Sequence, residues 1–330
     1  MKRIKILIAI GVFTMAGKAQ SLPTGYEIAT WYGFSKAAVS YTFDDNTPKQ
    51  FTVALPLFEQ FGYRTTLYPV TNWVTDWEQL KKASAMGHEI GCHSQSHPNL
   101  GSIDTAAQER ELSGSKATIE SQIGSGKCTT IAYPYCITGQ MDITQRHFVA
   151  GRICSGQINA PTHAEDYLIS SISLGDQGLN TPEALNQKCD EAATMNGWCV
   201  FLLHGIDDDG GYSPITSPTL TSHLTRIREQ GHFWVAPFGQ VFQYLKQRQN
   251  AIITETSSNK QRIELTLTDG LDNTLFNQPL TITKAIPNNW KKASVTQNGQ
   301  NVTYKTHVNN GQRYVVFDAV PDAGGIVIKK

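Results

Sequence analysis

The chain has 330 residues, 28 Lys and Arg against 28 Asp and Glu, 40% hydrophobic residues and six cysteines. That length holds one large domain plus a small one with ample core, and the even charge balance excludes the basic surface that nucleic-acid binding requires. No stretch approaches the ~18 consecutive apolar residues of a membrane-spanning helix.

Residues 1–19 have the pattern of a secretory signal. Lys2, Arg3 and Lys5 form a basic start, residues 6–15 an apolar stretch, and Gly17-Lys18-Ala19 a small-residue cleavage site before Gln20. Cleavage removes Lys2, Arg3, Lys5 and Lys18, leaving 24 basic against 28 acidic residues. The expectation is an exported protein, periplasmic or extracellular. Export permits disulfides, but the pairing of Cys92, Cys128, Cys136, Cys154, Cys189 and Cys199 does not follow from sequence. None has the Cys-x-x-Cys spacing of a structural zinc site, and several lie in apolar strand-like runs, where buried reduced thiols are expected.

Taken in order, β-like runs alternate with helical patterns. The first strand spans about residues 37–43 and ends in Asp44-Asp45. Thr47-Pro48-Lys49-Gln50 reads as a capping box with proline at the first helical position, opening a helix to Gly62 in which Pro56 predicts a kink or break. Further strands are expected at 64–70, 88–93, 129–135, 152–155, 167–174, 198–203 and 233–236, with helices between them. The helix over 105–123 carries Gly114 as a weak point. The run 198–203 is nearly continuously apolar, as in a strand buried on both faces. This alternation predicts an α/β fold, a distorted (β/α) barrel of about seven parallel strands, with functional residues at strand C-termini. From residue 251 the pattern changes to period-two alternation (Ile263, Leu265, Leu267; Leu280, Ile282; Val302, Tyr304) with Asp269-Gly270, Asn298-Gly299 and Asn310-Gly311 turns. The domain reading is therefore a signal peptide at 1–19, a barrel domain at 20–250, and a small all-β, sandwich-like domain at 251–330. The last is a structural spacer or a sugar-binding module.

Four strand ends carry candidate chemistry. Adjacent like charges at Asp44-Asp45 need a metal, a base or bulk water to compensate them. His93 and His97, four residues apart after the third strand, can face one ion on a helical turn or across a tight loop. With Asp45 they make a two-histidine, one-carboxylate set suited to zinc or a neighbouring first-row metal, with positions left open. The fourth strand ends in Ala132-Tyr133-Pro134-Tyr135-Cys136, either an ordinary turn with aromatic packing or a loop whose N–H is aimed at a developing oxyanion. The strand 198–203 delivers His204, a general-acid candidate because its unperturbed pKa lies near neutrality. His88, His147, His163, His223, His232 and His307 read as structural or surface residues.

This set of motifs resembles the polysaccharide deacetylases of the NodB-homology type, a carbohydrate-esterase family, over about residues 30–245. Thr42-Phe43-Asp44-Asp45 is similar to the family's first motif and His93-Ser94-Gln95-Ser96-His97 to its second. Pro134-Tyr135 is similar to the end of the third motif, and Leu202-Leu203-His204 to the fifth. The resemblance implies Asp44 as general base, Asp45, His93 and His97 as ligands of a divalent metal, most often zinc, the Tyr135 N–H as oxyanion donor and His204 as acid. It implies metal-dependent removal of N- or O-acetyl groups from a polysaccharide or oligosaccharide by metal-activated water. Two departures stand out. Ala132 occupies the place of the third motif's arginine, and the Asp-rich fourth motif has no clear counterpart. Arg152 and Asp176 are the candidates to fill these roles. The alternatives are a non-catalytic carbohydrate-binding protein on a deacetylase scaffold, or a hydrolase of non-sugar amides.

Overall fold

The computed structural model describes residues 22–162 and 165–330; the expected signal segment 1–19 and His163 lie outside the described residues. The first strand, β1 (Tyr26–Ile28), pairs antiparallel with the strand through Leu280–Ile286, in the C-terminal region. Tyr26–Ile28, which the sequence reading placed in the 20–250 segment, is thus paired with a strand of the C-terminal region. Three residues are too short to show a period, and it is the burial of Tyr26 and Ile28 in the C-terminal core that seats them there.

The barrel strands are β2 (Ala37–Asp44), β3 (Thr66–Tyr68), β4 (Glu89–Ile90), β5 (Thr130–Ala132), β6 (Ala150–Ile153), β7 (Ile169–Ser170), β8 (Ile172–Ser173) and β9 (Trp198–Leu203). β2 pairs with β3 and β3 with β4; Cys92, just past β4, bridges to Ile131 of β5; then β5 pairs with β6 and β6 with β7. β7 and β8 are two halves of one run, the first on β6 and the second on β9. β9 pairs with β2 from Ala38 to Phe43 and closes the circuit, every pairing being parallel. All eight residues of β2 are buried, as expected for a strand covered on both faces. β10 (Phe233–Val235) pairs with the N-terminal half of β2, on the edge that β3 uses further along.

The crossover helices are α1 (Leu55–Gln60), α2 (Trp77–Ala85), α3 (Thr105–Ile123), α4 (Met141–His147), α5 (Pro182–Met195) and α6 (Ser217–Gln230), followed by α7 (Phe238–Asn250). Asp76, Asp104, Thr181 and Thr216 cap four of them by accepting a main-chain N–H in the first turn. The expected capping box at Thr47 differs. Thr47 Oγ1 donates to the His204 carbonyl, while Gln50 Nε2 donates to the carbonyls of Asp44 and His204. These side chains tie two strand ends together instead of closing their own helix. The break expected at Pro56 takes the form of a π-turn over Gln50–Ala54, directly before α1. Helix α3 runs unbroken through Gly114, where a Cβ would meet Gln95 Oε1 at 2.5 Å. Glycine is there for close approach of a loop, at the cost of some helix propensity.

The remaining strands are β11 (Ile252–Ser258), β12 (Arg262–Thr268), β13 (Leu280–Ile286), β14 (Ser294–Gln297), β15 (Gln300–Asn301), β16 (Tyr304–Asn309), β17 (Gln312–Ala319) and β18 (Ile326–Lys329). They form antiparallel sheets in the orders β1-β13-β17-β16 and β11-β12-β18-β14-β15. Residues of both sheets, among them Ile263, Leu265, Ile282, Phe317 and Ile328, share one apolar core. Helix α7 joins this region to the barrel: Tyr244 Oη and Arg248 Nε donate to the Ala29 carbonyl, and Gln247 and Gln278 exchange two hydrogen bonds. Among the described residues, no helix is long and apolar enough to cross a membrane.

One core histidine makes stability pH-dependent. His223 is fully buried, its Nε2 2.6 Å from Tyr41 Oη and its Nδ1 2.7 Å from Asn186 Oδ1. Both contacts suit a neutral ring that donates to Asn186 and accepts from Tyr41. Burial pushes its pKa down to about 3. Because the folded value lies below the unfolded one, this stability is complete above an unfolded pKa of about 6.5 and drains away as pH falls toward 3. Between pH 7 and pH 5 the loss should be about 2 kcal/mol. Denaturant melts at both pH values should show it, and His223→Gln should remove that part of the slope; an unchanged slope in the variant would refute the assignment.

Candidate active site

The functional side chains gather at the C-terminal ends of β2, β4, β5 and β9. Asp44 ends β2 and Asp45 begins the following turn, with Asp45 and Asn46 both left-handed (φ 71° and 62°). That turn, anchored by the Asp45 N–H on the Tyr68 carbonyl at 3.2 Å, sends the two adjacent carboxylates to different partners. The loop after β4 supplies His93 and His97. Ser94 and His97 are left-handed as well (φ 63° and 62°), so the two imidazoles meet across a tight loop and not along a helix. Glu111 of α3 clamps this loop: its Oε2 accepts from the N–H groups of Gln95 and Ser96 at 2.9 Å, and its Oε1 from Ser96 Oγ at 2.6 Å.

Asp45, His93 and His97 present ligand atoms that all lie within 4.8 Å of one another. The His93 Nδ1–H donates to the Ala132 carbonyl at 2.7 Å, which turns Nε2 toward Asp45 Oδ1 at 3.6 Å. His97 Nε2 lies 3.9 Å from the same oxygen. Burial lowers the pKa of His93 despite the opposing pull of Asp44 and Asp45, so the ring is neutral near pH 7 and its Nε2 lone pair is free to ligate. Asp44 Oδ1 and Asp45 Oδ1 are buried with no hydrogen-bond partner. Orphaned carboxylate oxygens beside imidazole nitrogens leave negative charge uncompensated, and a divalent cation fits that donor set.

Asp44 is compensated differently. Arg152, on β6 and 1% exposed, donates from Nη2 to Asp44 Oδ2 at 2.5 Å and from Nη1 to Ser171 Oγ at 3.3 Å. Its guanidinium lies 5.4 Å from the ring centre of Tyr68. Burial alone would raise the pKa of Asp44, but the Arg152 guanidinium above all, with smaller help from the neighbouring His93 and His204, outweighs it, so the carboxyl sits below its ordinary range. Arg152 is the register partner of Ala132 across the β5–β6 pair. In-register residues of parallel strands project to the same face, so the guanidinium absent at Ala132 is provided one strand over.

His204 follows β9, whose Leu203 is the register partner of Phe43, so His204 and Asp44 leave neighbouring strands together. The His204 ring packs edge-on to Tyr212, 5.0 Å between centroids, and its Nδ1 is buried without a hydrogen-bond partner among the described residues. Asp176 is exposed and does not supply that partner. Tyr135 stands in a left-handed turn (φ 54°) with its ring 4.6 Å from that of His97. Cys136 and Cys154 are joined in a disulfide, Cα–Cα 5.7 Å. The sequence left the pairing of the cysteines open, and this pair becomes adjacent only through the β5–β6 pairing; Cys92, Cys128, Cys189 and Cys199 are free and buried. The bridge ties the Tyr135 turn to the strand that carries Arg152.

The structure thus brings Asp44, Asp45, His93, His97, Tyr135 and His204 to one end of the barrel. Sequence reasoning did not single out Glu111, nor the exposed aromatics at the mouth. Trp73 stacks on His97 at 5.3 Å and is 48% exposed, and Tyr212 is 60% exposed. Nothing in the spacing of these residues signalled a site.

Fold and cluster together define a closed parallel (β/α) barrel with a candidate metal centre at its C-terminal rim. Residues 32–142 match the family model described as polysaccharide deacetylase. Over 327 residues, 92% of the chain, it is 30% identical to a gellan lyase of a Bacillus species, of whose length that alignment covers 13%. A 71-residue segment, 21% of the chain, is 35% identical to the uncharacterized protein YlxY of Bacillus subtilis (strain 168) and covers 22% of it. Among solved structures, a putative polysaccharide deacetylase from Mycobacterium smegmatis superposes with a TM-score of 0.53 at 14% identity, covering 70% of this chain and 98% of that one. That likeness establishes the shared fold.

Proposed function

We propose that the chain is an exported, metal-dependent hydrolase that removes N- or O-acetyl groups from a polysaccharide or oligosaccharide. The observation that carries this reading is the cluster of Asp45, His93 and His97 beside an Asp44 carboxylate held ionised by Arg152. The family match supports deacetylation, and the name of the lyase relative ties a related segment to gellan, a polysaccharide. The Cys136–Cys154 disulfide supports an oxidising compartment, in keeping with the signal-like residues 1–19. We read the C-terminal region, whose two sheets enclose one core, as a sandwich-like accessory domain.

Asp45, His93 and His97 would hold the metal, with zinc the best match to two imidazoles and one carboxylate. When bound, such an ion supplies Lewis acidity toward the acetyl carbonyl and makes water acidic near neutral pH. The chain's own residues do the rest. Asp44, with Oδ2 occupied by Arg152, accepts the proton of the attacking water on Oδ1. The main-chain N–H of Tyr135 stabilises the oxyanion. His204 then gives its proton to the departing sugar oxygen or nitrogen, releasing acetate and a free hydroxyl or amine. Trp73, Tyr135 and Tyr212 form an aromatic rim at the mouth, suited to the apolar faces of sugar rings.

The test is acetate release from N-acetylated and O-acetylated oligosaccharides, with zinc-loaded and chelator-treated protein. Activity should fall to background on chelation and return with zinc. Zinc at 100 times its Kd should also stabilise the fold by about 2.7 kcal/mol, an effect absent in His97→Ala. No metal-dependent acetate release from either substrate type would refute the assignment. It would favour a non-catalytic carbohydrate-binding barrel, the reading supported by the unpartnered Nδ1 of His204.

A further inference from the structure

A cavity of about 400 Å³ lies on the outer face of the sheet β1-β13-β17-β16 and shares no residue with the candidate active site. Glu27 of β1, Thr283 of β13 and Val316 of β17 stand in one register row across its floor. Their neighbours Tyr26, Ile28, Ile282, Val315 and Phe317 point the other way, into the core. Two residues along, His307 of the edge strand β16 is the register partner of Tyr314, and their rings stack at 5.3 Å with an interplanar angle of 15°.

The opposite wall is Phe34, 39% exposed and left-handed at φ 59°. An exposed aromatic residue in that conformation gains little from burial and is disfavoured by roughly 1–2 kcal/mol. The chain nevertheless holds it firmly. The Gly33 N–H donates to Thr281 Oγ1 at 2.9 Å, Thr281 Oγ1 to Asp318 Oδ1 at 2.6 Å, and Tyr32 Oη to Asp318 Oδ2 at 2.9 Å. Phe34, on a strained backbone held by a rigid mount, thus lines one cavity with the stacked His307–Tyr314 pair, Glu27 and Asn309. Among the described residues no Lys or Arg lines the cavity, so they offer a phosphate or other strongly anionic ligand no counter-charge there. Aromatic faces take the C–H faces of a pyranose, and a carboxylate, an amide and a hydroxyl take its ring hydroxyls.

We propose that this cavity binds a neutral pyranose unit of a glycan chain, as a site separate from the catalytic end of the barrel. It is independent of whether the barrel deacetylates. Calorimetric titration of the full chain with cellotetraose, xylotetraose and chitotetraose, in chelator, should give saturable binding of at least one probe. Phe34→Ala should weaken it at least tenfold and Glu27→Gln severalfold, both with unchanged melting and unchanged acetate release from a monomeric acetylated sugar. Asp45→Asn should leave it intact. The proposal is overturned if none of the probes binds, or if binding survives in Phe34→Ala and Glu27→Gln and is lost in Asp45→Asn.

Discussion

Asp44→Asn is expected to reduce kcat for acetate release by about 10³-fold, within the range general-base catalysis contributes, with little change in KM. The substitution keeps the shape at the end of β2 but removes the proton acceptor. Zinc should still stabilise the variant, because Asp45, His93 and His97 remain the ligand set. The variant also leaves Arg152 buried without its counter-charge, so rates must be normalised to folded protein. The acid limb of the wild-type pH profile should lie below that of an ordinary carboxylate, because Arg152, His93 and His204 together overcome the burial penalty on Asp44. Activity within tenfold of wild type in Asp44→Asn would remove Asp44 from the base role.

Arg152→Ala should have the largest effect on stability. It leaves the Asp44 carboxylate buried without its 2.5 Å partner, a situation that costs about 3–5 kcal/mol. With the guanidinium gone, the main opposition to burial is lost, so the pKa of Asp44 rises and the acid limb of the rate profile moves to higher pH. The sign of the linkage follows. A depressed folded pKa contributes stability that is complete above an unfolded value of about 3.9 and is lost as pH falls below it, so the wild type, not the variant, should show this loss on acidification. A double-mutant cycle separates the pair from mere packing. Arg152→Ala with Asp44→Asn should be more stable than Arg152→Ala alone, because no charge is left stranded. Adding Ala132→Arg to Arg152→Ala should restore part of both stability and rate, since the two positions share a register row. If the double variant is no more stable than Arg152→Ala, the buried pair is not what holds Asp44.

Much of this site was legible because it is local. Asp44-Asp45, His93 and His97, and His204 each stand at the end of a run that reads as a strand in the sequence, and each is a residue type with a narrow chemical use. The alternation of strands and helices likewise pointed to a parallel barrel. Where the reading failed, the determining contact was distant in sequence. The Thr47 and Gln50 side chains follow a capping pattern, yet they bind the ends of β2 and β9 because the His204 carbonyl is brought beside them. Gly114 reads as a helix weakness and serves as clearance for Gln95. The stretch 26–28 is too short for periodicity to assign, and its pairing with β13 was decided by the C-terminal core.

By itself, then, the sequence determined which chemical groups are available and on which strand ends they stand, because those depend on residue type and on hydrophobic period. Only the tertiary structure decided how they are partnered. The arginine absent at Ala132 is replaced by Arg152, 108 residues from Asp44 in the chain, and Cys136 pairs with Cys154. Both follow from the parallel register of β5 and β6, a relation that no local sequence pattern encodes. Asp176, exposed beyond the end of β8, is not the carboxylate neighbour of His204 that it was expected to be.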